Sequence, residues 1–225
     1  MEIKPVATFR SPMTEKFGIP RQSGLAPALR GQVVLEPGYD APEILRGLEE
    51  FDYLWLIWGF DTGSWSCTVR PPRLGGNRRI GVFASRSPFR PNPLALSSVR
   101  IEKVEPGVIH VSGADLMDGT LIYDIKPYVE YADSHPGVRS GFVDTYGWQP
   151  LEVDIPDGLA EGLDEDDILA LTQVLAQDPR PRYQDDPERE YGMEFAGRNV
   201  RFRVIAGVLT VCSISTPDGS GDSQI

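Results

Sequence analysis

The chain has 225 residues, of which 40% are hydrophobic and 9% aromatic, and a formal net charge of −11 at pH 7. This length accommodates one good core, or one domain with a small appendage, and the composition is that of a globular protein. No apolar run approaches the about 20 residues of a membrane span, and the amino terminus carries no secretion signal, so we expect a cytoplasmic protein that uses no membrane. With two cysteines and two histidines, a disulfide framework is excluded and we expect no metal site.

Charge is distributed unevenly along the chain. Residues 70–103 carry eight basic side chains and one acidic side chain, whereas residues 141–225 carry six basic and 17 acidic ones. The basic island includes the stretch RPPRLGGNRRIGVFASRSPFRPNPLAL, residues 70–96. Prolines and glycines give such a loop a defined shape, and arginines held on it suit planar or anionic ligands. The alternative interpretation is a solvated, proline-rich surface loop.

Hydrophobic patterns predict many short strands in the first part of the chain. The predicted strands cover residues 6–9, 31–35, 53–60, 80–84, 97–104, 108–111 and 120–125. The run YLWLIWGF at residues 53–60 is apolar at both odd and even positions, which predicts a central strand buried on both faces. Residues 40–50 predict one helix with Asp40 as its N-cap. Short strands separated by turns, with one early helix, predict a mainly β protein built on a small barrel or closed sheet.

The composition changes at residues 134–148, which read as a linker rich in Gly, Pro, Ser and Asp. Beyond it a helix is predicted from Asp164 to before Pro179. Its apolar side carries Ile168, Leu169, Leu171, Val174 and Leu175. Residues 200–215 alternate around a turn at residues 206–207, which predicts a hairpin, and residues 216–225 are predicted to be a disordered tail.

Three aspartates, Asp115, Asp118 and Asp124, lie close together in the stretch GADLMDGTLIYDIKPY. Such carboxylates support acid-base chemistry or accept hydrogen bonds from ribose hydroxyls. Asp118 with the glycine after it is also typical of a hairpin turn, and Asp115, at the end of a strand, is the better ligand candidate. No serine has a histidine nearby to activate it, and the usual phosphate-binding glycine motifs are absent.

Five blocks of sequence carry a family resemblance: PRQSGL, TVRPPRLGGN, GVFASRSPFRPNPLALS, DLMDGTLIYDIKPY and DPRPRY. Together they resemble the TsaA-like (TrmO) family of S-adenosylmethionine-dependent tRNA methyltransferases, over nearly the whole chain. The resemblance implies an α+β protein with a single-sheet β-barrel domain at residues 1–140 and a small helix-plus-hairpin domain at residues 141–215. It also implies a homodimer with donor sites near the subunit interface, and methylation of N6 of threonylcarbamoyladenosine next to the tRNA anticodon.

The resemblance further assigns site residues. Those implied to bind S-adenosylmethionine are Gln22, Ser23, Gly24, Phe60, Asp61, Arg86, Leu96, Ser112, Gly113, Ala114 and Asp115. Those implied to lie near the tRNA or the acceptor base are Asp178, Arg180, Pro181 and Tyr183. Arg86 and Arg90 are each suited to hold the donor carboxylate, the threonyl carboxylate or a phosphate, which makes Arg90 a substrate-binding candidate. The chain has Asp61 where the family pattern has histidine. The sequence does not identify a catalytic base.

Two other functions stay open. The acidic C-terminal part conflicts with a role facing tRNA unless Arg180, Arg182, Arg201 and Arg203 gather on one face. The alternative is a methyltransferase that acts on another RNA or on a small molecule. The lack of an evident general base leaves a noncatalytic S-adenosylmethionine-binding module as the third possibility.

Overall fold

A computed structural model describes residues 2–62, 64–71, 78–145, 149–180 and 186–216. Its first eight strands are β1 (Ala7–Arg10), β2 (Arg30–Leu35), β3 (Tyr53–Gly59), β4 (Thr68–Val69), β5 (Ile80–Gly81), β6 (Leu94–Glu105), β7 (Val108–Ser112) and β8 (Leu121–Pro127). Six of them form a closed barrel in the order β1-β2-β7-β6-β3-β8, with antiparallel neighbours throughout. The predicted small barrel is therefore confirmed.

Strand β3 shows how the barrel core is filled. Leu54, Leu56 and Trp58 point inward and are buried, while the alternate side chains face outward. Tyr53 is 43% exposed, so the prediction that residues 53–60 are buried on both faces is wrong. A barrel wall has one interior face, and an apolar run on such a wall still leaves every second side chain outside.

The prediction of a helix at residues 40–50 is also wrong. The segment instead forms two short 3-10 turns, Pro42–Leu45 and Leu48–Glu50. Gly47 between them has a φ of 86°, a left-handed conformation that interrupts any helical hydrogen-bond ladder. Asp40 is not an N-cap, because its carboxylate accepts a hydrogen bond from the backbone N–H two residues earlier.

The strand predicted at residues 80–84 is shorter than expected. Only Ile80–Gly81 pairs with another strand, β4, and Val82–Ala84 forms a 3-10 turn. Val82 is buried, and the hydroxyl of Ser85 donates a hydrogen bond to its carbonyl at 2.8 Å. The basic loop that follows is thus anchored by a buried apolar residue and is not simply a solvated loop.

The C-terminal part is a second sheet covered by a helix. Its elements are β9 (Glu152–Asp154), α3 (Glu165–Ala176), β10 (Tyr191–Phe195), β11 (Arg198–Ile205) and β12 (Val208–Ser215), preceded by the short helices α1 (Glu130–Asp133) and α2 (Phe142–Thr145). The sheet order is β10-β11-β12-β9. The predicted hairpin is confirmed as β11 and β12, whereas β9 and β10 were not predicted. Residues 217–225, the predicted tail apart from its first residue, lie outside the described residues.

Helix α3 begins as predicted. The carboxylate of Asp164 accepts a hydrogen bond from the Asp167 N–H at 2.8 Å, which caps the helix. Leu171, Val174 and Leu175 are buried as expected, but Leu169 is 51% exposed and does not belong to the apolar side. Among the described residues, no helix is long and apolar enough to cross a membrane.

The two parts share a core. Met13, Ala26 and Leu29 come from the loop between β1 and β2, and they are buried in the same cluster as Leu171 and Phe202 of the C-terminal part. A loop of the barrel therefore belongs to the second core, and the domain boundary predicted at residues 140 and 141 stays a prediction.

Helix α3 also holds this loop by hydrogen bonds. The side-chain amide of Gln177 donates to the Leu25 carbonyl at 3.0 Å, and the side-chain oxygen of Gln173 accepts from the Ala28 N–H at 2.7 Å. Just beyond the helix, Arg21 donates to the carbonyl of Asp178 at 3.3 Å. The loop that carries the PRQSG motif is thus fixed from the C-terminal side.

We predict that Gln177→Ala lowers the free energy of unfolding. Gln177 is only 9% exposed, and truncation leaves the Leu25 carbonyl without this donor. Loss of such a contact costs about 1–3 kcal/mol, measurable by urea denaturation. The exposed Gln149→Ala is the matched control, and equal stabilities for the two variants would contradict the role of this contact.

Candidate functional site

Asp115 is the centre of a hydrogen-bonded cluster at one end of the barrel. The hydroxyl of Ser97, on β6, donates to Asp115 Oδ1 at 2.5 Å. The same hydroxyl oxygen accepts a hydrogen bond from the indole N–H of Trp58, on β3, at 2.9 Å. Ser97 and Trp58 are 1% and 7% exposed, so this chain runs from the barrel interior to the carboxylate.

The PRQSG loop is attached to the same cluster. The backbone N–H of Ser23 faces the Asp115 carboxylate and lowers its pKa. The hydroxyl of Ser23 accepts from the Ser98 N–H at 3.2 Å, and the Gly24 N–H donates to the Gly113 carbonyl at 2.8 Å. Two of the predicted site segments, which are far apart in sequence, are therefore in direct contact.

Both glycines at this contact have left-handed backbones. Gly24 has a φ of 80° and Gly113 a φ of 75°, a region that side chains other than glycine rarely occupy. The Gly113 N–H also donates to the Leu29 carbonyl at 2.9 Å. Glycine is thus required at both positions, where the two segments of the chain turn toward each other.

Arg86 reaches the cluster from the basic loop. Its guanidinium donates a hydrogen bond to the side-chain oxygen of Gln22, and the Gln22 amide donates to the Arg21 carbonyl at 2.5 Å. The Arg86 charge also acts on Asp115. The structure therefore brings Gln22, Arg86 and Asp115 together, as the resemblance implies.

Arg90 has a different environment. Its guanidinium donates to the carbonyls of Ser85 at 2.7 Å and Val82 at 3.3 Å, and lies 5.7 Å from the centre of the Phe83 ring. These contacts hold the shape of its own loop. In this structure Arg90 supports the loop that presents Arg86.

Of Phe60, Asp61 and Leu96, Phe60 adjoins the cluster. The Phe60 ring is 4.5 Å from the ring of Trp58 in an edge-to-face arrangement, and its N–H donates to the Pro93 carbonyl at 2.8 Å. Leu96 precedes Ser97 on β6, on the opposite face of the strand, and is 52% exposed, and Asp61 is also exposed.

Two predicted residues point elsewhere. The Ser112 hydroxyl donates to Glu102 at 2.5 Å and does not reach Asp115, and the side chain of Ala114 is buried in the barrel core. At Gly113 this segment contacts the PRQSG loop through its backbone, because the Gly113 carbonyl accepts a hydrogen bond from the Gly24 N–H.

The C-terminal motif is described in part. Asp178 has a φ of 52° and forms a two-pronged ion pair with Arg180, with N···O distances of 2.8 and 3.1 Å. Since Arg21 donates to the Asp178 carbonyl, the start of this motif adjoins the PRQSG loop. Pro181 and Tyr183 lie outside the described residues.

The described arginines of the C-terminal part are paired with carboxylates. Arg201 and Arg203, on the same exposed face of β11, share Glu190, at 3.2 and 3.5 Å, which offsets one of their two charges. Arg180 pairs with Asp178, and Arg182 lies outside the described residues.

Burial raises the pKa of Asp115 above the ordinary value of 3.8. Four contacts act in the opposite direction: the Ser97 hydroxyl, the residue's own backbone N–H, the Arg86 charge and the Ser23 N–H. A carboxylate held by several donors in a partly desolvated place is a common property of ligand-binding sites. Among the described residues, no group of three or more His, Cys, Asp or Glu side chains is placed to hold a metal ion.

Comparison with known proteins identifies the family. The model of the tRNA-methyltransferase O N-terminal domain matches residues 8–134, more than half of the chain, and the TrmO C-terminal domain matches residues 150–217. The chain belongs to the tRNA-methyltransferase O family. The membership expected from the five sequence blocks is thus confirmed.

Relatives of known name agree with the TrmO assignment. An Escherichia coli tRNA (adenine(37)-N6)-methyltransferase is 37% identical over 218 residues, which cover 90% of this chain and 93% of the relative. A Pseudomonas aeruginosa protein, provisionally named S-adenosylmethionine-dependent methyltransferase RcsF, is 43% identical over 201 residues, which cover 85% of this chain and 87% of that protein. The crystal structure of TrmO from P. aeruginosa superimposes with a TM-score of 0.80 at 34% identity, covering 96% of this chain and 97% of that one.

Sequence reasoning missed two members of the cluster, Ser97 and Trp58. Ser97 occupies an inward position of β6, in line with the buried Val99, where an apolar side chain is expected. Trp58 occupies an inward position of β3 opposite Ala95, one inward position along from the partner of Ser97, and its N–H donates diagonally to that serine. A polar residue at an inward position of a half-buried strand was the available signal, since buried hydroxyls have hydrogen-bond partners.

We predict that Asp115→Asn changes the pH dependence of stability. The folded state holds the Asp115 proton more tightly than the unfolded chain, because burial raises its pKa above 3.8. Asp115 therefore makes the free energy of unfolding fall as pH rises from 3.8 to the raised pKa of the folded state. Above that raised pKa, Asp115 contributes no further change with pH. Relative to wild type, Asp115→Asn should gain stability across that window. Urea denaturation across acidic pH tests this, and a constant difference would contradict a desolvated Asp115.

Proposed function

We propose that the chain transfers a methyl group from S-adenosylmethionine to N6 of threonylcarbamoyladenosine, next to the anticodon of tRNA. The observation that carries the proposal is the junction of Asp115, the PRQSG loop and Arg86 in a chain of the TrmO family. The E. coli relative is named for methylation of adenine 37 at N6. A tRNA substrate also accounts for the expected location in the cytoplasm.

The residues at the junction fit such a donor chemically. S-adenosylmethionine carries a carboxylate, an ammonium, a sulfonium and ribose hydroxyls, with an apolar face on its base. Arg86 is suited to the carboxylate, Asp115 to the hydroxyls or the cationic groups, and Phe60 and Leu96 to the base. Bound there, the donor supplies an electrophilic methyl group.

The chain's own contribution is positioning. Gln22 orients the Arg86 guanidinium, while Ser97 and the Ser23 N–H fix the Asp115 carboxylate. Holding two reactants in line is enough to lower a barrier by about 7–11 kcal/mol, without a metal. The acceptor N–H is of the urea type and acidic for a nitrogen, so arranged acceptors suffice to assist its deprotonation.

The acceptor side includes the C-terminal motif. Asp178 is tied to the PRQSG loop through Arg21, so the segment that follows it starts next to the donor residues. Asp178, Arg180, Pro181 and Tyr183 accordingly contact the tRNA or its acceptor base in this proposal. Arg201 and Arg203 share Glu190, which offsets one of their two charges and reduces their attraction for phosphate.

Arg86→Ala is expected to abolish methylation. The variant loses a charge-assisted hydrogen bond to the donor, which weakens donor binding about 10- to 100-fold. Calorimetry with S-adenosylmethionine and transfer of labelled methyl groups to tRNA measure the two effects. Folding should be unchanged, since Arg86 is exposed apart from its contact with Gln22.

The matched control is Arg46→Ala, an exposed arginine paired with Glu43 at 3.6 Å and far along the chain from the loop. It should bind donor and methylate tRNA as the wild type does. Full turnover by Arg86→Ala would remove Arg86 from the site.

The homodimer belongs to the same proposal. Five large apolar side chains in and beside the basic loop are exposed, by 37% at Leu94 up to 77% at Phe83, and are named here the apolar rim: Trp65, Phe83, Phe89, Leu94 and Leu96. A concentration of exposed large apolar side chains is typical of an association surface. We infer that a second copy covers the rim, which places the donor site next to the subunit interface.

Phe83→Asp should convert the dimer to a monomer, because it places a charge in the centre of the rim. Sedimentation equilibrium measures the mass directly. Ile205→Asp is the control, since Ile205 is 56% exposed but lies at the end of β11, on the C-terminal hairpin. A wild-type monomer, or a dimeric Phe83→Asp, would overturn this interface.

A further inference from the structure

The hydrogen-bonded chain behind Asp115 has a feature that neither donor binding nor the fold requires. Ser97 is one of three buried polar or charged residues among those described, and its inward position would pack well as alanine or valine. A buried hydroxyl gives little net stability compared with an apolar group of similar shape. Its place in the barrel core therefore points to a function at the carboxylate it contacts.

We propose that Ser97 and Trp58 are positioning residues for methyl transfer, which fix the orientation and the ionised form of Asp115 in the donor site. This inference rests on the proposed function of that site. The chain runs from the indole N–H of Trp58 to the Ser97 oxygen at 2.9 Å, and from the Ser97 hydroxyl to Asp115 Oδ1 at 2.5 Å.

The direction of the chain follows from its donors. An indole N–H only donates, so the Ser97 oxygen accepts from Trp58 and its single proton is directed to Asp115. Hydrogen bonds arranged in such a series polarise one another and strengthen the last bond to the carboxylate. Trp58 thus acts on Asp115 through Ser97 and has no contact with the carboxylate itself.

The acceptor capacity of Asp115 defines what is left for a ligand. A carboxylate has about four acceptor positions. One position is used by the Ser97 hydroxyl, at 2.5 Å. The Ser23 N–H and the residue's own N–H favour the charged form of the carboxylate. We assign the remaining acceptor capacity to a hydroxyl or ammonium of the donor, and the Ser97 contact fixes the orientation of the carboxylate.

The ionised form matters because the donor carries a sulfonium and an ammonium group. The groups that face Asp115 are the Arg86 guanidinium from the basic loop, the Ser97 hydroxyl from β6 and the Ser23 N–H from the PRQSG loop. Burial raises the pKa of Asp115. Among the groups that lower this pKa, the Ser97 hydrogen bond has the largest effect. Without Ser97, protonation of Asp115 and loss of donor binding should therefore begin at higher pH.

Donor affinity measured against pH tests the proposal. Isothermal titration with S-adenosylmethionine is carried out on wild type, Ser97→Ala, Trp58→Phe and Val99→Ala, across the acidic and neutral range. Ser97→Ala should bind S-adenosylmethionine about tenfold more weakly than wild type at neutral pH. As pH is lowered, this variant should lose binding at a higher pH than wild type does. Trp58→Phe keeps the ring, loses only the N–H, and should shift the profile in the same direction by less.

Val99→Ala controls for loss of packing. Val99 is the next inward residue on β6 and is 1% exposed, so its truncation weakens the same part of the core without touching the chain. It should lower stability and leave the pH profile of binding in place. If it moves the profile as far as Ser97→Ala does, the effect is general loosening and the proposal is overturned.

Two further results separate this inference from the proposed function. Wild-type affinity and an unchanged pH profile in both Ser97→Ala and Trp58→Phe would overturn the positioning role and leave the methyltransferase intact. Failure of the wild-type protein to bind S-adenosylmethionine at any pH would overturn the donor site and the positioning role together.

Discussion

The contact between Ser97 and Asp115 is the interaction on which the site depends. It joins the wall of a closed barrel to a carboxylate beside the PRQSG loop, which the Ser98 N–H and the Gly113 carbonyl hold in place. The rigid sheet fixes one end of this contact, since Ser97 is buried and bonded to Trp58 on the neighbouring strand. Loops that carry binding residues gain precision when a scaffold of this kind fixes them. The residues proposed to bind the donor are therefore arranged by the barrel even though most of them lie in loops.

The same loop connects the barrel to the C-terminal part. Met13, Ala26 and Leu29 are buried in the second core, and Gln177 donates to the Leu25 carbonyl at the end of α3. A change in the C-terminal part therefore acts directly on the segment that contacts Asp115. This arrangement joins the PRQSG loop and Asp178 in one connected structure, which suits an enzyme that must align two substrates.

Sequence patterns predicted the barrel, helix α3 and the final hairpin, because each has a clear hydrophobic period. They failed where backbone conformation decided the outcome: Gly47 in a left-handed conformation breaks the helix predicted at residues 40–50. Burial of β3 on both faces was overestimated, because periodicity does not reveal that the sheet closes on itself. Family resemblance supplied Gln22, Arg86 and Asp115, but contacts between distant segments, such as the one from Trp58 to Ser97, follow only from the register of β3 against β6.

The acidic charge of the C-terminal part limits how tRNA approaches. Glu190 offsets one of the two charges of Arg201 and Arg203, which weakens the attraction of the described surface of β11 for phosphate. The basic island, which includes Arg86, is the better electrostatic match for the anticodon region. Recognition would then depend on contacts close to the modified base rather than on a long basic track.

The most direct test of this account is mass spectrometry of nucleosides from tRNA incubated with the protein and isotopically labelled S-adenosylmethionine. Two tRNA pools are compared, one that carries threonylcarbamoyladenosine and one from cells unable to make it. The account predicts a labelled methyl group on threonylcarbamoyladenosine in the first pool and no label in the second. Label on another nucleoside, or in neither pool, would contradict it.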